Sequence, residues 1–419
     1  MTHRPLLRAL VALCVFFTLG AVAPAYTQDR SEPEPERQIL VMLKLPPPHF
    51  RPNSSYGGNY GDAASAPARR RTALKIARDN RLELVDGWPM PLLGVDCYVM
   101  RLPADLSVES AIERVSQDPK VAWSQPMQIY EGRGGGAAQV GDPLLKAAPA
   151  ASKWRLADLH QIATGRRVSV AVIDSKVEVG HPDLAGQFAV AQDFVSSRPV
   201  RSEYHGTGIA GVIGAKANNG IGIAGIAPGA RLMALRACWQ IGKGSGSRTL
   251  CDSLSLARAL QYAIEHDAKV INLSLSGPPD PLLQKLIAIA VARRTYVVAA
   301  FDPALPGGGF PASQPGVIAV VDESLQSLPS RLYGAPGQNV PTTQPGGKWY
   351  LVNGSSYAAA HVSGLMALVR EGRGAAAPPV AIARTRNGAI DACATLLQTA
   401  PDCECSCALA REMAARRQR

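Results

Sequence analysis

Residues 168–174, VSVAVID, decide how the rest of the chain is read. An almost unbroken apolar run of this length suits a strand buried on both faces, as parallel strands under helices are. The run ends on Asp174, so its carboxylate should emerge at the carboxyl edge of a sheet. Outward from it the chain alternates. HGTGIAGVIG (205–214) reads as a glycine-rich helix and ARLMALRA (230–237) as a strand. SLSLARALQYAIEHDA (253–268) reads as a helix, KVINLSLS (269–276) as a strand and PLLQKLIAIAVARR (281–294) as a helix. TYVVAAF (295–301) and GVIAVV (316–321) are further strands, and SYAAAHVSGLMALV (356–369) is a last helix. Such alternation predicts an α/β fold with a parallel sheet flanked by helices, whose ligands bind beyond the carboxyl ends of the strands.

Three polar residues stand at such ends. Asp174 closes a strand, His205 opens a helix, and Ser356 opens another behind the turn Asn353-Gly354. A serine needs a base to lose its proton, and an imidazole base needs an acid to fix its tautomer and offset its charge. A lone Ser-Gly-Ser type turn is usually only a helix cap. The three together are the parts of a nucleophilic triad.

With their surroundings these residues resemble the subtilisin-like serine peptidases over about residues 154–371. VAVIDSKVEVGHPDL (170–184) is similar to the aspartate segment, HGTGIAGVIGAKANNGIGIAGIAP (205–228) to the histidine segment and NGSSYAAAHVSGLMAL (353–368) to the serine segment. The order Asp–His–Ser separates the chain from trypsin-like and α/β-hydrolase arrangements. The resemblance implies that Asp174 orients the imidazole, His205 is base and then acid, and Ser356 is the nucleophile. It implies that Ser274, Leu275 and Ser276 pair with an extended substrate by strand addition. Gly277 would shape the primary pocket and Gly309 its floor, leaving it roomy, while residues 243–246 would cover the other side of the substrate. It also implies a calcium site of Asp183 and Asn219 with the carbonyls of Ala217, Ile221 and Ile223, hard oxygen ligands suited to that ion. Hydrogen bonds alone are the other way to hold that loop. The chemistry itself requires no cofactor.

One departure bears on activity. In YVVAAFDPALPGG (296–308), Asp302 stands where the family normally has the asparagine that donates to the oxyanion. An ionised carboxylate would repel that charge, and losing one such donor typically costs about 10²–10³ in turnover. A protonated Asp302 still donates; desolvation favours that form, and some family members carry Asp here. The N–H of Ser356 and the helix N-terminus remain as oxyanion stabilisers. Lys176, Tyr357 and Ala360 are smaller departures.

The rest of the chain supplies organisation. Residues 1–25 have basic residues, a short apolar middle and Ala23-Pro24-Ala25, a secretory signal that implies a secreted or periplasmic enzyme with no stable membrane insertion after its removal. Residues 26–37 are charged and proline-bearing. Then ILVMLKL (39–45), RRRTALKIARDNRLEL (69–84), LLGVDCYVMRLP (92–103), SVESAIERVSQDP (107–119) and KVAWSQPMQIY (120–130) read as β-α-β-α-β, with residues 46–67 as loop and EGRGGGAAQVGDP (131–143) as a glycine-rich linker. This order resembles the propeptide of secreted subtilases, which assists folding and inhibits until cleaved. Residues 130–136 would then lie near the cleft, with self-cleavage within 130–150. The expected organisation is signal 1–25, propeptide 26–140, catalytic domain 141–375 and a basic, cysteine-containing tail 376–419.

Of the eight cysteines, Cys14 leaves with the signal. Cys238 and Cys251 flank a short polar loop and suit a bridge in an exported protein. Cys393, Cys403, Cys405 and Cys407 crowd the tail, where disulfides are favoured over zinc, and Cys97 stands alone. The net charge of +11 hints at nucleic acid, but charge speaks to solubility and non-specific attraction, and no nucleic-acid-binding module is present. The expected partners are protein or peptide substrates and the chain's own propeptide. A catalytically silent subtilase fold that binds peptides is the rival reading, and Asp302 is its support.

Overall fold

A computed structural model describes residues 37–45, 60–132, 135–139, 144–196, 198, 201–242, 247–325, 328–374 and 377–399. The signal segment, residues 243–246 and Cys403, Cys405 and Cys407 lie outside the described residues.

The chain opens with β1 (Gln38–Lys44), α1 (Tyr60–Asp79), β2 (Glu83–Met90), β3 (Val95–Arg101), α2 (Val108–Ser116) and β4 (Val121–Pro126). The four strands form an antiparallel sheet in the order β2-β3-β1-β4. Successive side chains of β1 alternate faces. Ile39, Val41 and Leu43 pack with Ile76, Ala111 and Val115 of the two helices. Leu40 and Met42 join a second core with Leu256, Leu260 and Leu286. Burial on both faces explains why ILVML reads as continuous apolar. Ser107 caps α2 by accepting from the Ser110 N–H.

Two features of this region differ from the sequence reading. The helix expected through residue 84 ends at Asp79, Arg81 turns left-handed at φ 62°, and residues 83–90 return as a strand. The loop expected through residue 67 already holds the first turns of α1 from Tyr60. The unit is therefore β-α-β-β-α-β.

Parts of the expected linker are strand. β5 (Ile129–Gly132) and β6 (Gly135–Gln139) follow, then α3 (Pro149–Lys153) and α4 (Leu156–Ile162). Beyond them lie β7 (Ser169–Asp174), β8 (Phe188–Asp193), α5 (Tyr204–Gly214), β9 (Arg231–Arg236), β10 (Cys238–Ile241), β11 (Arg248–Asp252) and α6 (Ser253–Glu265). β12 (Val270–Leu273), β13 (Leu275–Ser276), α7 (Pro281–Ala292), β14 (Tyr296–Ala300), β15 (Ile318–Asp322), β16 (Leu332–Ala335), β17 (Val340–Gln344), β18 (Lys348–Asn353), α8 (Ser355–Arg370) and α9 (Ala392–Leu397) complete the described elements. A seven-stranded sheet runs β16-β15-β14-β12-β7-β9-β8, and every pairing in it is parallel. Glycines make the close packing here feasible: a Cβ on Gly206 of α5 would fall 2.2 Å from the Ser175 carbonyl oxygen.

β5 lies antiparallel between β11 and β13, and β6 pairs with β18. Backbone hydrogen bonds need no side chains, so a glycine-rich sequence is no bar to strand pairing. Cys238 and Cys251 face each other across β10 and β11 and form a disulfide, which ties down the strand that β5 joins. Among the described residues no helix is long and apolar enough to cross a membrane.

Candidate active site

Asp174 ends β7 at the carboxyl edge of the large sheet, and both it and His205, in the first turn of α5, are buried. The Nδ1–H of His205 lies 2.8 Å from one oxygen of Asp174 and 3.0 Å from the other. The Ser175 N–H donates to the nearer oxygen at 2.6 Å. This leaves Nε2 as the acceptor of the neutral ring, and that atom is buried without a hydrogen-bond partner in the structure.

Ser356 sits in the first turn of α8, fully buried, and its Oγ donates to the Ser274 carbonyl at 3.1 Å. The next residue, Tyr357, places its ring 5.9 Å from that of His205. The structure therefore brings Asp174, His205 and the start of α8 together, with the serine hydroxyl directed at the backbone of the β12–β13 segment. His361, further along α8, is no competing base. Burial pushes its imidazole down to about 4, and Nδ1 is held 2.8 Å from the Tyr357 carbonyl oxygen.

Two supporting networks had no sequence signal of their own. Ser363 donates to Asn272, Asn272 to Ser274 Oγ, and Ser274 Oγ to the Ser356 carbonyl, each at 2.9 Å. This buried relay pins α8 to the strand beside it. Glu203, just before α5, accepts from the N–H groups of Lys176 and Gln240, each at 2.9 Å, while its own N–H donates to the Lys176 carbonyl at 2.7 Å. The turn after Asp174 is thereby bolted to the residue that leads into His205. Asn, Ser and Glu are ordinary in loops and strands, and only proximity in space gives them this work.

The expected substrate strand is occupied by the chain itself. Leu275 pairs with Gly132 and Ser276 with Glu131, while β11 pairs from the other side, Leu250 with Glu131 and Cys251 with Tyr130. Gly277 bridges to Phe310. Gly309 has φ +72°, and a Cβ there would meet Ser276 Oγ at 2.1 Å. Asp302 is buried in the turn after β14, where one carboxylate oxygen accepts from the Ala304 N–H at 3.0 Å and its own N–H donates to Gly308.

The residues named for calcium are engaged differently. The buried Asp183 carboxylate accepts from Asn219 Nδ2 at 2.7 Å, the Ile223 N–H at 2.9 Å and the Trp349 indole N–H at 2.7 Å. Asn219 turns its oxygen away, to the Ile221 N–H at 3.0 Å. The loop through Ala217, Ile221 and Ile223 thus grips the carboxylate by an N–H rather than a carbonyl. These residues do not fit a cation, which would have to displace donors already aimed at the same oxygens. Among the described residues no group of three His, Cys, Asp or Glu gathers around a metal-sized site. Chelation is therefore expected to leave the melting temperature unchanged. Trp349→Phe, which loses a hydrogen bond to a charged group, should lower stability by about 1.5–3 kcal/mol. A calcium-dependent rise in melting temperature that Asp183→Asn abolishes is the contrary outcome.

A parallel sheet with Asp at its carboxyl edge, His in the first turn of a helix beside it and a buried helix that opens on Ser defines a serine peptidase of the subtilisin type. Residues 165–403, more than half of the chain, match the subtilase family, and the chain belongs to that family of serine endopeptidases. Subtilisin NAT from Bacillus subtilis subsp. natto is 32% identical over 291 residues, covering 65% of this chain and 71% of the relative. Thermitase from Thermoactinomyces vulgaris is 34% identical over 237 residues, covering 54% and 82% respectively. The solved structure of fervidolysin from Fervidobacterium pennivorans, described as a keratinolytic enzyme related to subtilisin, shares the fold with a TM-score of 0.57 at 22% identity. That match covers 80% of this chain and 55% of the fervidolysin chain.

Proposed function

We propose that this chain is a secreted serine endopeptidase, made as a precursor, that cleaves through Asp174, His205 and Ser356. The observation that carries the reading is the His205 ring, with Nδ1 on Asp174 and a buried, unpartnered Nε2 beside the start of α8. In the reaction Ser356 Oγ swings from the Ser274 carbonyl to Nε2 and gives up its proton as it attacks the substrate carbonyl. His205 then passes that proton to the leaving amine, and a water deprotonated by the same nitrogen releases the acyl group. These steps use no cofactor.

The strand β5 supports residues 26–140 as a propeptide. It adds to β11 and β13 as an extended substrate would, main-chain bonds giving affinity and pockets giving choice. Self-cleavage is expected within residues 130–150, and mass measurement of the mature N-terminus checks it. Labelling with a fluorophosphonate tests the whole reading. A mass shift on Ser356 supports the enzyme, whereas no labelling of the processed or precursor chain favours the silent peptide binder.

Asp302 is the feature on which the rival rests, and it carries its own test. A carboxylate offers no hydrogen-bond donor to an oxyanion, whereas an amide does. Asp302→Asn supplies that donor. It is expected to raise kcat at neutral pH by about tenfold or more, within the 10²–10³ that one such donor is worth. A kcat that Asp302→Asn leaves unchanged would show that residue 302 has no part in oxyanion binding.

A further inference from the structure

Tyr130 leaves β5 opposite Cys251 and is fully buried. Its ring packs against Gly277, where a Cβ would come within 2.3 Å of it, and tilts against Phe310 at 6.1 Å between centroids. So far this is a slot for any aromatic side chain. Its far end is not apolar. The phenol reaches Ser253 and Asp280, both themselves completely buried. Asp280 caps α7, taking the N–H groups of Leu282 and Leu283 on one oxygen at 2.9 and 3.0 Å. The same oxygen accepts from Gln125 Nε2 at 2.7 Å, and the other accepts from Ser253 Oγ at 2.6 Å. The Tyr130 hydroxyl is buried beside this pair without a closed hydrogen bond of its own. Burial, and then the Asp280 charge, push it strongly toward keeping its proton, and a protonated phenol is the donor a carboxylate selects.

The donor that competes for Asp280 belongs to the departing part of the chain. Gln125 sits on β4, so removal of the propeptide frees acceptor capacity on Asp280 as it empties the slot. A phenol can take up that capacity; a phenylalanine ring in the same place would shut an under-bonded carboxylate away from water. Resting on the peptidase reading above, we propose that the slot formed by Gly277, Phe310, Ser253 and Asp280 is a tyrosine-selective subsite. It chooses protein substrates by a phenolic hydroxyl at the position Tyr130 holds, two residues before the one that pairs with Leu275. Asp280 and Ser253 are then the specificity-determining residues.

Peptides of the sequence at 129–136, with Tyr or Phe at the 130 position, test this on the processed enzyme. Tyr is expected to exceed Phe by about tenfold or more in kcat/KM, as sites built to hydrogen-bond a hydroxyl reject the analogue that lacks it. Asp280→Asn, which keeps an oxygen for the α7 cap, and Ser253→Ala should shrink that ratio to about twofold or less. Equal rates for the two peptides, a preference for Lys or Arg, or an unchanged ratio in both variants would overturn the proposal. A second measurement does not need turnover. In the full-length chain carrying Ser356→Ala and Gln125→Ala, where no glutamine amide competes for Asp280, Tyr130→Phe should lower the melting temperature by a few degrees, and this drop should largely vanish when Asp280→Asn is already present. No coupling between the two substitutions overturns the subsite. Coupling without any fluorophosphonate labelling of the wild type keeps the subsite and removes the peptidase.

Discussion

Replacing Ser356 with alanine is expected to leave the precursor at full length and to lower peptidase turnover by about 10⁶, the scale set by serine knock-outs in subtilisin itself. The structure gives this substitution little other effect. Ser356 is buried, and the hydrogen bond made by its Oγ runs to the Ser274 carbonyl at 3.1 Å, a contact worth about 1 kcal/mol. Its main-chain carbonyl still accepts from Ser274 Oγ, so α8 keeps its anchor. Precursor mass followed over time checks the result, with a melting curve to show that the variant is folded. Unchanged processing by the purified variant would remove Ser356 from the mechanism.

The architecture was legible wherever burial constrains both faces of an element. VSVAVID, VINL and YVVAA are largely apolar because helices cover both sides of the sheet, and each occurs as a parallel strand. β8 escaped notice because it is an edge strand, and FAVAQD is mostly exposed. The hairpin of β17 and β18 escaped for the opposite reason. VPTTQ is wholly buried, yet its threonines are held by hydrogen bonds to the α5 carbonyls of Gly208 and Thr207, so no apolar pattern marks it.

Residues 131–132 and 135–139 show a different limit. Glycine there reads as freedom, whereas the backbone is committed to pairing with β11, β13 and β18. The surroundings of Asp183 show a related limit. Asp183 and Asn219 are present as the resemblance implied, but Trp349 arrives from far along the chain to donate to the same carboxylate. A local motif carries no record of such a visitor. Glu203 and Asn272 belong to the same class, since their partners are fixed by the fold and not by spacing.

Asp174→Asn is expected to cost about 10⁴ in kcat, the size of the effect when the orienting acid of such a triad becomes an amide, with substrate binding little changed. The argument runs through a tautomer. In the native chain the Ser175 N–H is fixed on one oxygen of Asp174, at 2.6 Å, and both oxygens face Nδ1 of His205. An asparagine keeps its single oxygen for the Ser175 N–H and so turns its amide nitrogen toward the ring. Nδ1 must then accept, the ring proton moves to Nε2, and the one nitrogen able to take the Ser356 proton is already protonated. The buried side chain has the same shape in both proteins, so melting temperature should fall far less than activity does. Kinetics on a short peptide, read as kcat and KM separately, distinguish this from simple damage to the site. A loss confined to KM, or one smaller than about tenfold, would mean that Asp174 holds the loop rather than the proton.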